Sequence, residues 1–337
     1  MVDDGGSRKG ALLVLGGSGC EAEILAGHLF RSLRLSAIFV ALLSLAGCLE
    51  GQSGILEGLR DKLSADYDPP DYKGAPLGEL PSYRLGDAYT YSSGRTETIQ
   101  QILDDRVVWR NDLDSRFERF PNFIFPSIST RTDRGEVTRE FDVPATTLWP
   151  LIPGTRRQFK SEVRVKLDGQ NGERLFYREW ICKVVGNARV EVQIGEFDAV
   201  EIVCDRFSRG KWRQKRTWYY VPEIGHYVRR VDSFLGRDKR ETELVSIQQG
   251  LDGLSRNAKR ELYDLEQQTL ERMPSGKAAN WRSSEGNLAV TMVVIRTMKT
   301  EAGQFCRTFR QTINGKEGGR LVPGLACRTW NGRWVRL

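Results

Sequence analysis

The feature that most constrains this chain is a two-residue alternation of apolar and polar side chains, repeated through its central part. Val163, Val165 and Leu167 alternate with polar neighbours, as do Val190, Val192 and Ile194, and then Val200, Ile202 and Cys204. A period of two puts every second side chain on one face, which is the geometry of a strand and not of a helix. Gly186-Asn187 and Gly195-Glu196-Phe197-Asp198 are the predicted turns between such segments. Residues 82–250 are therefore expected to form an antiparallel meander curled into a β-sandwich or half-barrel. In LFYREWIC, Trp180 and Cys182 fall on one face, and in AVEIVC so do Val200, Ile202 and Cys204. Pairing those faces would bring Cys182 to Cys204 inside the core. Arg216 to Val228 reads as strand, turn, strand, with Pro222 and Gly225 making the turn.

The period changes over residues 251–274. Leu251, Leu254, Ala258, Leu262, Leu265 and Leu270 recur at three- to five-residue steps, predicting an amphipathic connector helix that ends at Pro274-Ser275-Gly276. Residues 275–337 return to β pattern. NLAVTMVVIRTM and QFCRTFRQTI are strands, and Asn331-Gly332 fits a type I′ hairpin turn.

The amino-terminal part says where the chain resides. Arg31 and Arg34 precede an apolar run of 11 residues, Leu35 to Leu45, followed by Ala46, Gly47 and Cys48. At 1.5 Å per residue this run is too short to span a bilayer and reads as the core of a signal peptide over 31–47. Leu45-Ala46-Gly47-Cys48 resembles the lipobox of bacterial lipoproteins. That resemblance implies cleavage before Cys48, acylation of its thiol and new amino group, and outer-membrane sorting because Leu49, not Asp, follows it. Outer-membrane lipid is then a partner through Cys48. Residues 1–30 have no structural role and suggest a start site placed too far upstream. Residues 48–81, rich in Gly, Pro and Asp, read as a flexible tether. Beyond Cys48 and Cys20 of the leader, Cys182, Cys204, Cys306 and Cys327 remain, 22 apart in one pair and 21 in the other. In an oxidising compartment they read as two disulfides, each worth about 3 kcal/mol in the chain-entropy model.

Two resemblances add to this. Gly303-Gln304-Phe305-Cys306-Arg307-Thr308-Phe309, then Gly324-Leu325-Ala326-Cys327-Arg328 and Asn331-Gly332-Arg333-Trp334, resemble in order and spacing the carboxy-terminal domain of rickettsial-type seventeen-kilodalton surface antigens. It implies an outer-membrane lipoprotein with a small terminal β-domain and no catalysis. The glycine-rich segment of that family is absent, so roles that depend on it do not transfer. GEFDAVEIVC with the following Arg216–Val228 segment is similar to exported β-domains of the DUF3108 type, a family without an agreed activity.

Little in the sequence points to catalysis or to a cofactor. After Cys48 the chain has one histidine, His226, so a His-based metal cluster is excluded and a periplasmic hydrolase would depend on that residue alone. No phosphate-binding glycine loop or GxSxG stands in a fitting context. The net charge of +7 suits anionic lipid or polysaccharide, and export argues against nucleic acid. Arg209, Lys211, Arg213, Lys215 and Arg216 crowd around Trp212, with Lys211, Arg213 and Lys215 predicted on one strand face as a candidate anion site. The same charges would also keep an exposed edge strand from pairing with another sheet. Arg307, Arg310, Arg320, Arg328, Arg333 and Arg336 form a second basic set. The expected role is structural, adhesive or antigenic in the envelope; the alternative is binding of anionic envelope glycans such as lipopolysaccharide or wall polymer.

Overall fold

A computed structural model describes residues 75–250, 254–284, 288–315 and 318–337. The run expected to be a signal peptide, Cys48 and the start of the connector segment, Leu251 included, lie outside the described residues.

Twelve strands close into a barrel in which each is antiparallel to its neighbours. The short early strands are β1 (Ala88–Tyr91), β2 (Thr96–Ile102), β3 (Val107–Asn111), β4 (Arg116–Arg119), β5 (Ser129–Thr132) and β6 (Gly135–Phe141). The long ones are β7 (Arg156–Leu167), β8 (Arg174–Val192) and β9 (Gly195–Ser208). They are followed by β10 (Lys211–Val221), β11 (His226–Phe234) and β12 (Arg237–Gln248). The sandwich or half-barrel expectation is corrected here, because β1 pairs with β12, Tyr89 opposite Ile247, and leaves no free edge. Outward positions of β7 carry Lys160, Glu162, Arg164 and Lys166. Such a wall faces water and not acyl chains, since charge on a lipid-facing strand is strongly unfavourable.

The turns also differ from the sequence reading. Gly186-Asn187 lies within β8, where a bulge between Val184 and Gly186 is accommodated by Gly186 at φ +141°. The β8–β9 turn is centred on Gln193-Ile194, before Gly195. Cys182 and Cys204 are direct partners on β8 and β9 and are disulfide-bonded.

The barrel interior is packed with aromatic side chains. Tyr83 meets both Tyr89 and Trp109 edge to face, and Phe125, Phe159 and Trp180 form a stacked series with ring centroids 4.4 and 6.1 Å apart. Packing of this kind fills the lumen, so that part of the barrel is a core and not a channel.

After the barrel, α1 (Arg256–Arg272) begins at Ser255, whose side chain accepts a hydrogen bond from Ala258 N. It packs on a five-stranded antiparallel sheet ordered β13 (Ala278–Arg282), β14 (Ala289–Lys299), β15 (Phe305–Gly315), β16 (Gly318–Arg328) and β17 (Trp334–Arg336). Leu270 of α1 is buried with Met292, Val294, Phe309 and Ala326. Gly324 is required there, because a Cβ would come within 2.5 Å of the Phe309 ring. Cys306 and Cys327 face each other across β15 and β16 and form the second disulfide. The β16–β17 turn is not type I′. Only Gly332 has positive φ, and Gly332 N donates to Thr329 O, so Trp330-Asn331 form the turn and Gly332 the bulge of a three-residue loop.

Candidate functional site

Parity along the strands decides what faces the barrel interior. Arg178 shares a face with Trp180 and Cys182, Arg206 with Cys204, and Arg216 with Trp218 and Tyr220. These arginines, with Arg139 of β6 and Ser161 of β7, line one open cavity of about 310 Å³ against Trp180. An adjoining cavity of about 590 Å³ shares Arg178 and Arg206 and opens past Phe176 to Arg209 and Arg213. Together they make a groove that leads from the β9–β10 turn into the arginine-bearing end of the barrel.

Four arginines on four strands line the inner cavity, Arg139, Arg178, Arg206 and Arg216, and no carboxylate lines it. Arg216 shares the carboxylate of Asp232 with Arg230, and elsewhere in the interior Arg119 pairs with Glu97. Asp232 is buried between Arg216, at 2.5 Å, and Arg230, at 3.0 Å, and also accepts from Gln214 Nε2 at 2.6 Å. Burial alone would raise the Asp232 pKa, but Arg216 and Arg230 override it and hold the carboxyl below its ordinary value. The other three arginines meet only neutral partners. Arg139 donates to Ser127 O and Oγ, Arg178 to Tyr177 O and Ser208 Oγ, and Arg206 to Gln214 Oε1. Burial, helped by Arg119 and Arg178, lowers the Arg139 pKa to about 10. Arg178 is lowered by burial and then by Arg213 and Arg209, and Arg206 by burial and then by Arg178. All stay protonated near neutrality, so the groove holds mutually repelling cations that a bound anion would relieve.

Two polar atoms at the inner end of the groove have no hydrogen-bond partner. Ser161 Oγ and Trp180 Nε1 are both orphaned, on residues that are 2% and 3% exposed. Buried polar groups in that state are uncommon and call for a partner.

The sequence-predicted basic patch is divided by this arrangement. A bulge between Trp212 and Gln214 takes Arg213 out of the alternation, so Lys211, Arg213 and Lys215 do not form one face. Arg213 joins Arg209 at the rim of the groove, and Arg209 sits in the turn at φ +52°. Arg216 points to Asp232, with its guanidinium 5.5 Å from the Trp218 ring centroid and 5.8 Å from that of Trp180. Lys211 and Lys215 are exposed and do not line the groove. Trp212 is half-buried and donates to Asp205 Oδ1 at 2.8 Å. Nor is this an edge hairpin, because β10 is flanked by β9 and β11. Arg139, Arg178 and Ser161 were missed in the sequence; the signal that finds two of them is shared parity with Trp180 and Phe159.

The second basic set is largely structural. Arg307 Nη1 donates to Leu270 O and Met273 O and closes the end of α1, while Arg328 forks onto Glu271, which also accepts from Trp334 Nε1. Arg310 donates to Glu196 O and covers the Phe197 ring. Arg336 pairs with Glu266 and donates to Ile247 O of β12 at 2.7 Å. Arg320 lies 2.5 Å from buried Asp87 and donates to Tyr89 Oη of β1 at 3.1 Å. Arg320 and Arg336 thus grip both strands of the barrel seam. A further cavity between α1 and β17, about 310 Å³, has its Arg336, Glu266 and Gln267 already paired.

His226 is buried, and both ring nitrogens are taken by tyrosine hydroxyls, Nδ1 by Tyr83 at 3.1 Å and Nε2 by Tyr91 at 2.9 Å. That occupancy leaves no ring nitrogen to serve a hydrolase nucleophile. Among the described residues no group of three or more metal-ligating side chains comes together, and no helix is long and apolar enough to cross a membrane.

Residues 268–335 match the family described as 17 kDa outer membrane surface antigen. The 17 kDa surface antigen of Rickettsia bellii is 35% identical over 70 residues, covering 20% of this chain and 43% of the antigen. That of Rickettsia prowazekii is 36% identical over the same length and coverage. The chain thus spans less than half the length of these relatives, and the named proteins are surface antigens, not enzymes. The matched segment begins within α1, which fits the docking of that helix by Arg307 and Arg328. Two solved structures overlay loosely on this chain. The lipoprotein YmcC of Escherichia coli K12 covers 52% of this chain and 93% of its own at TM-score 0.34 and 10% identity. An exported protein of YmcC-like fold from Bacteroides fragilis covers 51% and 100% at TM-score 0.30 and 11% identity.

Proposed function

We propose that this protein is a non-catalytic lipoprotein, held in the bacterial outer membrane by acylated Cys48, whose barrel binds an anionic envelope glycan at its arginine-lined groove. The observation that carries the binding role is that four arginines line the inner cavity and only Arg216 has a carboxylate partner, Asp232. The signal-like run before Cys48 and the surface-antigen match of residues 268–335 support the envelope setting. Binding is tested with the full chain in detergent, measuring retention on immobilised lipopolysaccharide and on sacculi. Arg178→Gln with Arg206→Gln should abolish retention, and retention equal to wild type would refute the groove. The anchor is tested by fatty-acid labelling in cells, where wild type should take up label and Cys48→Ala should not.

A second reading, a structural, adhesive or antigenic role, draws on the surface-antigen match alone. It gains if neither glycan retains the protein while antibody against the terminal sheet stains intact cells.

A further inference from the structure

Resting on that glycan-binding reading, we infer that the group held in the groove is a phosphate monoester carried on a saccharide, and not a carboxylate sugar. The first ground is charge and geometry. Arg216 and Arg230 already share Asp232, but Arg139, Arg178 and Arg206 come from three separate strands and meet only neutral oxygens. A carboxylate brings one charge and two oxygens, which fills a single guanidinium fork. A phosphate monoester brings a charge of about −1.5 to −2 and three acceptor oxygens, so it answers several converging guanidiniums at once. Arg178 and Arg206 stand where the two cavities join, and that is where the phosphate sits.

The second ground is the shape of the groove. Trp180 and Ser161 lie behind the inner cavity at 3% and 2% exposure, the Trp180 ring already covered by Phe159, Arg206 and Arg216, so a ligand meets the guanidiniums and not the ring. The inner cavity, about 310 Å³, has room for a sugar ring, and the outer one gives the rest of a glycan its exit past Arg209 and Arg213.

The test is titration calorimetry of the full chain in detergent at low salt with glucose 1-phosphate, glucuronate and inorganic phosphate. Glucose 1-phosphate should bind at least tenfold more tightly than glucuronate. Arg178→Gln with Arg206→Gln should remove that binding. Inorganic phosphate should bind more weakly than glucose 1-phosphate, and equal or tighter binding of inorganic phosphate would overturn the saccharide part of the inference. If the double variant does not fold, Arg209→Gln with Arg213→Gln at the exposed rim takes its place. A several-fold loss is then expected, and an unchanged constant would overturn the inference. Equal affinity for glucuronate, lost in the double variant, overturns the phosphate assignment but leaves anionic-glycan binding standing. No binding of either sugar or of lipopolysaccharide overturns both. Displacement of glucose 1-phosphate by vesicles containing lipid A would support a glycolipid as the source, and displacement only by a phosphorylated wall polymer would support that polymer.

Discussion

Removing the carboxylate of Asp87 should destabilise the protein more than any single change at its surface. Asp87 is fully buried, Oδ1 accepting from Gly250 N at 2.9 Å and Oδ2 lying 2.5 Å from Arg320 Nη1. Arg320 is itself nearly buried and has Tyr89 Oη as its other partner. Asp87→Ala therefore leaves a cation in the protein interior without its counter-charge, a loss of about 3–5 kcal/mol. At roughly 2–4 °C per kcal/mol for a chain of this size, Tm should fall by about 6–20 °C. Arg320→Ala should be of similar size, because it strands the carboxylate instead. The double variant removes both charges and should lose much less than the sum, with a coupling of about 2–3 kcal/mol. Urea unfolding followed by tryptophan fluorescence reads the effect as midpoint shifts at common slope. Additivity within about 0.5 kcal/mol would refute the claim that this pair joins the terminal sheet to the barrel seam.

Arg307→Ala should destabilise the terminal sheet by about 1.5–3 kcal/mol, since a charged donor to the carbonyls of Leu270, in the last turn of α1, and of Met273, its C-cap, is lost. Loss of helical circular dichroism at lower temperature checks it, and Arg307→Lys should restore only part, lacking the planar guanidinium that lies 5.6 Å from the Trp334 ring centroid. The stability of the barrel should also fall in mild acid because of His226. Its pKa is held well below the ordinary 6.5, mostly by burial and further by the fields of Arg119, Arg320 and Arg230. The unfolded chain then binds a proton that the folded one refuses, so stability falls as pH drops below about 6.5, approaching 1.4 kcal/mol per pH unit. Urea midpoints at pH 7.5, 6.5 and 5.5 measure it, and His226→Gln should flatten the slope; a slope unchanged in that variant would sink the assignment.

What the sequence made legible was what is local. Cys182–Cys204 and Cys306–Cys327 each join neighbouring strands of one hairpin, so spacing and parity were enough to pair them. Closure of the barrel was not legible, because β1 and β12 are joined by about 150 residues and no pattern within either announces the other. Strands such as β5, whose STRT has no buried residue, carry no apolar period to read. The groove was half legible. The crowding of arginine around residues 206–216 is plain in the sequence, but the bulge at Arg213 shifts the alternation, and the inward set is Arg206 and Arg216, not Lys211 and Lys215.

The seam also sets an order of events. A chain growing from its amino terminus makes β1 early and must hold it beside an unpaired edge until Gln248 has been added. Neither disulfide crosses that joint, so no covalent bond records that it has closed. Arg320 and Arg336, which hold Tyr89 and Ile247 on the two sides of it, are made after every barrel strand. A chain cut short before residue 320 would carry every barrel strand and still lack its latch, leaving β1 free to pair with a neighbour's edge. The terminal sheet thus acts as a latch made after the barrel: only a chain extended past Arg336 has both grips on its seam.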